Sequence, residues 1–135
     1  MTTYAPASEK EEARIALEDD LAQKLRELLE HHPLASGWQV SRNPAPQFRT
    51  YHVTAIANAV DGTRIELWVH CHRDEPKNWE DVLIEREFAP NIVRIWVLAM
   101  PVISAETAKT CERHGWSWFD LNGNCRIFAP HLLDI

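Results

Sequence analysis

Three histidines, His52, His70 and His72, fall in two runs of alternating residues, and the alternation decides whether they can act together. Tyr51, Val53, Ala55 and Ala57 alternate with His52, Thr54, Ile56 and Asn58. Ile65, Leu67, Val69 and Cys71 alternate with Arg64, Glu66, Trp68, His70 and His72. Asp61-Gly62 lies between the runs, so together they read as a β-hairpin. A two-residue turn would pair Val60 with Thr63 and set even-numbered residues opposite odd ones, turning the two apolar sets away from each other. A three-residue loop, Val60-Asp61-Gly62 with Gly62 left-handed, pairs Ala59 with Thr63 and keeps those sets together. In that register His52 faces His70, His72 lies two residues farther along the same face, and Cys71 points to the other side. Three neutral imidazoles on one face suit Zn²⁺ or another borderline transition metal. Glu66 is the carboxylate on that face able to orient them. Trp68 shares the face too, and with Glu66 would form the anchor of a binding surface.

The elements that must carry this hairpin can be read on either side of it. Ser8 followed by Glu11 has the spacing of a helix-capping box, after an N-terminus (1–10) expected to be flexible. Leu17, Leu21, Leu25, Leu28 and Leu29 then form an apolar stripe on a charged helix that Pro33 and Gly37 should end. Trp38–Arg42 reads as a short strand, closed by Pro44 and Pro46. Asn78 is placed to cap a short helix over Trp79–Glu87. Ile92–Met100 (IVRIWVLAM) is apolar nearly throughout, as a central strand covered on both faces would be, and Pro101 stops it. Ser104 caps a helix that runs through Arg113, with Gly115 as its stop. Trp116–Asp120 and Cys125–Ala129 are two short strands around Asn122-Gly123-Asn124. The expected fold class is α/β (α+β), a single domain over 1–135 whose central mixed sheet is built on an antiparallel β-meander flanked by helices.

Composition narrows the functions available. A length of 135 residues, 45% hydrophobic and 25% charged, is that of one globular core. The net charge of −6 does not support a strongly electrostatic nucleic-acid binder. Much of the acid belongs to one helix: residues 9–30 hold eight carboxylates against four Lys/Arg. Three cysteines at irregular spacing, Cys71, Cys111 and Cys125, argue against a disulfide framework and for a reducing cytoplasm, with each thiol a small core residue. No apolar run is long enough to span a bilayer, and no leader peptide is visible, so no membrane association is expected. His31-His32 falls at a helix C-terminus, where the dipole favours imidazolium. Of the six tryptophans, Trp96 reads as core, Trp116 and Trp118 share a strand face, and Trp68 and Trp79 are candidates for exposure. Asp120 and Asn124 read as braces of the Asn-Gly turn.

The segment Pro101-Val-Ile-Ser104, a helix, then Gly115-Trp-Ser-Trp-Phe-Asp120-Leu-Asn-Gly123-Asn124 resembles a block of the restriction-endonuclease-like PD-(D/E)XK superfamily. The same block occurs in bacterial proteins related to abortive-infection type IV antitoxins. The likeness covers roughly residues 45–130, and Asp120, Gly123 and Asn124 are its structural signature. It implies a catalytic Asp on the first hairpin strand and Glu-x-Lys on the second, holding Mg²⁺ and positioning water. Those positions fall here on His52, His70 and His72, so the resemblance implies a degenerate active site. Asp61, Glu75 and Lys77 spell D…E-x-K by letter, but Asp61 is in the turn and Pro76 interrupts the other two.

Three functions follow as expectations. The first is a catalytically degenerate nuclease-fold domain that binds a protein partner or its own copies, in a bacterial defence or toxin–antitoxin setting. The second is a metal-dependent DNA endonuclease rebuilt on histidines. The third is a structural or oligomerising protein. No basic recognition helix is visible, so transcriptional control by this chain alone is not expected.

Overall fold

The computed structural model describes residues 6–30, 35–43, 51–59, 61–75, 91–129 and 133–135. In chain order these form α1 (Pro6–Glu30), β1 (Ala35–Arg42), β2 (Val53–Ala59), β3 (Arg64–Cys71), β4 (Ile92–Met100), α2 (Ala105–Arg113), β5 (Ser117–Asp120), β6 (Cys125–Arg126), β7 (Phe128–Ala129) and β8 (Leu133–Asp134). The class is α+β. One six-stranded sheet runs β1-β2-β3-β4-β5-β6, and β7-β8 make a separate two-stranded sheet. The large sheet is mixed rather than a pure antiparallel meander. β1-β2-β3 is the meander, β3-β4 and β4-β5 pair in parallel, and β5-β6 is antiparallel again.

The hairpin has the three-residue loop that parity requires. Val53 pairs with Val69 and Asn58 with Arg64. The Ala59 amide donates to the Thr63 carbonyl at 2.8 Å, and Gly62 is left-handed at φ +88°. Asp61 Oδ1 accepts from the Thr63 amide at 2.9 Å, which fixes the turn.

Alternation then assigns the two faces. Odd-numbered residues of β2–β5 (Val53, Ala55, Ile65, Leu67, Val69, Val97, Phe119) are buried with Leu17, Leu21, Leu25 and Leu29 of α1. The even-numbered Trp96, Leu98 and Met100 are buried with Cys111 of α2, Ile103 and Trp116. Each face therefore has its own helix, and β4 is apolar at all but Arg94 because it lies between both.

Several expectations shift. Helix α1 begins at Pro6, so Ser8 lies inside its first turn and not at its cap, and residues 6–10 are helical; proline's fixed φ suits a first helical position. Gly37 is not the helix stop. It lies within β1 at φ +70°, where the β1–β2 register slips between Ser36 and Gln39, a β-bulge that a residue without Cβ accommodates. The Arg26 side chain reaches from α1 to donate to the Val40 carbonyl at 3.1 Å. The run Cys125–Ala129 is broken at Ile127, whose amide and carbonyl exchange hydrogen bonds with Ile135. The expected helix over Trp79–Glu87, its Asn78 cap, His31-His32, Pro33, Pro44, Pro46 and Lys77 lie outside the described residues.

Candidate functional site

The β2–β3 ladder stops one residue short of the expected His52–His70 pair. The His52 amide donates to the Val69 carbonyl at 2.8 Å, one residue out of the hairpin register. That slip ends the alternation. Tyr51, read on the aliphatic face, instead brings its ring to 4.6 Å from that of Trp68. His52 becomes the meeting point of three strands. Its carbonyl accepts from the Asn43 amide at 2.7 Å, and its Nδ1 accepts from the Cys71 amide at 3.0 Å. The Asn43 side chain adds a bond to the Tyr51 carbonyl at 3.1 Å.

This bonding fixes the tautomer. An Nδ1 that accepts from a backbone N–H carries no proton, so the proton of neutral His52 is on Nε2. A metal needs a ring nitrogen with a vacant lone pair, and this tautomer has none left to give. His70 and His72 lie edge-on to His52, with centroids 6.4 and 6.1 Å away. His70 is only 2% exposed and is packed 5.7 Å from Trp96 and 5.0 Å from Trp116. Among the described residues, no group of three His, Cys, Asp or Glu is arranged to hold a metal ion. The trio His52, His70 and His72 therefore does not fit Zn²⁺ as it stands.

Burial is the main reason why His52 resists protonation, and the nearby charges of His72 and Arg14 add to it; its pKa is held down at about 4. Burial lowers His72 as well. Both rings are neutral at pH 7.

Glu66 and Trp68 do not form an open anchor. Glu66 is buried, and its carboxylate accepts from Arg64 Nε at 2.7 Å, Arg94 Nε at 3.0 Å and Trp68 Nε1 at 3.2 Å. Burial works to raise its pKa, but those three donors outweigh it and hold the carboxyl below its ordinary value. Trp68 is half-buried rather than exposed, sandwiched by Tyr51, by Trp96 at 5.0 Å edge-on and by the Arg94 guanidinium at 5.1 Å. The sequence indicated their shared face. It could not show that two arginines from β3 and β4 would close on the acid.

The carboxyl ends of the parallel strands β3, β4 and β5 come together at the same sheet end as His52. In open α/β sheets this is where ligand sites collect. Helix α1 runs past that end, where Arg14 Nη1 donates to Glu18 Oε2 at 2.8 Å and Arg42 of β1 lies 3.6 Å from Asp19. Glu18 is 1% exposed, and burial raises its pKa despite the pull of Arg14. Sequence reasoning missed Arg14 and Glu18. Glu18 follows the buried Leu17 and is one of the eight carboxylates of residues 9–30; its place on the inner face of the helix was the available signal.

Asp120 is a brace rather than an exposed acid. It is fully buried, and Oδ1 accepts from the Asn122 and Asn124 amides, each at 3.0 Å. Oδ2 accepts from the Ile103 amide and from Asn124 Nδ2, each at 3.2 Å. The Leu121 amide donates to the Pro101 carbonyl. One carboxylate thus ties the Pro101–Ser104 loop to the Asp120–Asn124 turn, which gives a physical reason for these two motifs to occur together. Gly123 closes the turn at φ +88°. The three thiols are free; Cys111 is buried with its pKa pushed up to about 12, and burial raises Cys71 and Cys125.

No helix among the described residues is long and apolar enough to cross a membrane. Comparison with protein-family models, with curated proteins and with solved structures finds no match.

Proposed function

We propose that this chain is a non-catalytic binding module on a restriction-endonuclease-like frame, working with a protein partner or with copies of itself in a bacterial defence or toxin–antitoxin setting. The resemblance carried by Pro101–Ser104 and Gly115–Asn124 is the basis for the family and the setting, and the mixed sheet with a helix on each face is consistent with that frame.

The observation that carries the non-catalytic reading is how the three aligned positions are used. A phosphodiesterase needs carboxylates to hold a hard cation, and a cation or metal aimed at the phosphoryl oxygens. His52 is committed to the Cys71 amide, His70 is packed beneath two tryptophans, and His72 is neutral at pH 7. The nearest acid on that face, Glu66, is neutralised by Arg64 and Arg94. A binding module needs none of those groups free.

The test is plasmid nicking and oligonucleotide cleavage by the untagged protein in Mg²⁺, Mn²⁺ and Zn²⁺. No turnover above a buffer control is expected. Metal-dependent cleavage abolished by His70→Ala would overturn the proposal in favour of a histidine-based nuclease.

A further inference from the structure

The aligned histidine that fails as a ligand has another use. We infer that His52 is a proton-operated clasp: its neutral Nδ1 holds the Cys71 amide and thereby fastens the open end of the β2–β3 hairpin, and protonation releases it.

The geometry supports this on its own. In a continuing ladder, a carbonyl of the preceding residue would accept the next β3 amide. Here the one-residue slip at His52 removes that carbonyl from reach, and the imidazole replaces it at 3.0 Å. The same residue accepts from Asn43 and donates to Val69, so the ends of β1, β2 and β3 all converge on it. Protonation places a hydrogen on Nδ1. An acceptor then becomes a donor pointed at another donor, and the bond is lost rather than weakened. The charged groups that act on the ring, His72 and Arg14, both oppose a positive charge on it.

The charged and titratable groups facing it work in the same direction. Arg14 of α1 opposes a positive ring and is itself paired with Glu18. His72, just after β3, lies edge-on at 6.1 Å and His70 of β3 at 6.4 Å, and Cys71 is an undissociated thiol at neutral pH. Arg42 at the end of β1 is paired with Asp19. The clasp is therefore closed at neutral pH and is biased against early opening. Its release would loosen the sheet end where the strand termini and α1 meet.

The experiment uses the full chain and three readouts. Imidazole ¹⁵N shifts at pH 7 report the tautomer; a proton on Nε2 is expected, and a proton on Nδ1 overturns the inference. Hydrogen exchange at the Cys71 amide, corrected for intrinsic rate, is followed from pH 7 to below pH 4 while circular dichroism checks that the domain stays folded. Protection should fall about tenfold, as for loss of one intramolecular hydrogen bond. His52→Ala should lose that protection at every pH. Should His52→Ala fail to fold, His52→Asn serves instead: its Oδ1 can accept from the same amide but cannot titrate, so protection should persist across the range. Wild-type protection that does not change with pH, or an Asn variant that loses it as wild type does, would refute the clasp.

Discussion

Replacing Asp120 tests whether the most fully bonded carboxylate among the described residues is structural. It accepts four hydrogen bonds, three of them from backbone amides that have no side chain of their own to adjust. Asp120→Ala leaves the Ile103 amide stranded beside a buried side chain. A buried donor without a partner costs about 1–3 kcal/mol. Asn122 and Asn124 are exposed, so water can reach their amides, and each contributes less. The sum is about 3–5 kcal/mol, a large part of the roughly 5–15 kcal/mol that holds a domain of this size together. Asp120→Asn keeps one acceptor but turns an NH₂ toward donors, which should cost about 2 kcal/mol. Urea denaturation followed by tryptophan fluorescence gives both values, with the slope unchanged if only native stability is affected. A double-mutant cycle with Asn124→Ala should return a coupling of about 0.5–1 kcal/mol for the Asn124 Nδ2 bond. An Asp120→Ala protein within 1 kcal/mol of wild type would mean that the carboxylate does not brace these loops, and the structural account of the motif would fail.

Four further outcomes are expected. His52 holds its proton less readily in the fold than in the open chain, at about 4 against 6.5, so the unfolded state takes up more protons in that window. Stability should be fully present above pH 6.5 and decline as pH falls through 4, by about 1–2 kcal/mol after allowance for partial exposure, as read by urea midpoints of wild type against His52→Asn. Leu25→Ala, at a fully buried position in the core that α1 shares with the sheet, should cost about 2–5 kcal/mol by the same assay; a loss under 1 kcal/mol would show that α1 is not packed as described. Glu18→Gln should leave the melting temperature unchanged or raise it at pH 7, because burial penalises the charge more than Arg14 rewards it; a drop of several degrees would reverse that ranking. Cys111 should react with a thiol reagent only as fast as the protein unfolds, since a buried thiol raised to about 12 offers almost no thiolate, and labelling in the native state at a model-thiol rate would contradict its burial.

Much of the frame was legible because period-2 alternation and turn chemistry are local. Ile92–Met100 could be bounded to the residue, and the Ser104 cap and the hairpin register followed from spacing and parity. What was not legible depended on irregularity or on distant partners. The slip at His52 breaks the parity on which its partnership with His70 rested, and a bulge leaves no mark in a pattern of apolar letters. Glu66 looked like a free acid because its two arginines come from Arg64 beside it and from Arg94 on a strand beyond it. Gly37 looked like a helix stop because a left-handed glycine serves a helix end and a β-bulge equally well.

The strand that carries Gly37 lies at the margin of the sheet, and margins of that kind are where β-proteins adhere to one another. An eight-residue edge offers enough free backbone to template a neighbouring chain. Here the bulge twists the edge away from flatness, and Arg26 draws on the Val40 carbonyl. These two modest irregularities should make the edge a poorer template for a neighbouring chain than a flat, bare strand would be. Removing both, by Gly37→Val with Arg26→Ala, should make this edge more adhesive before the core loses its packing.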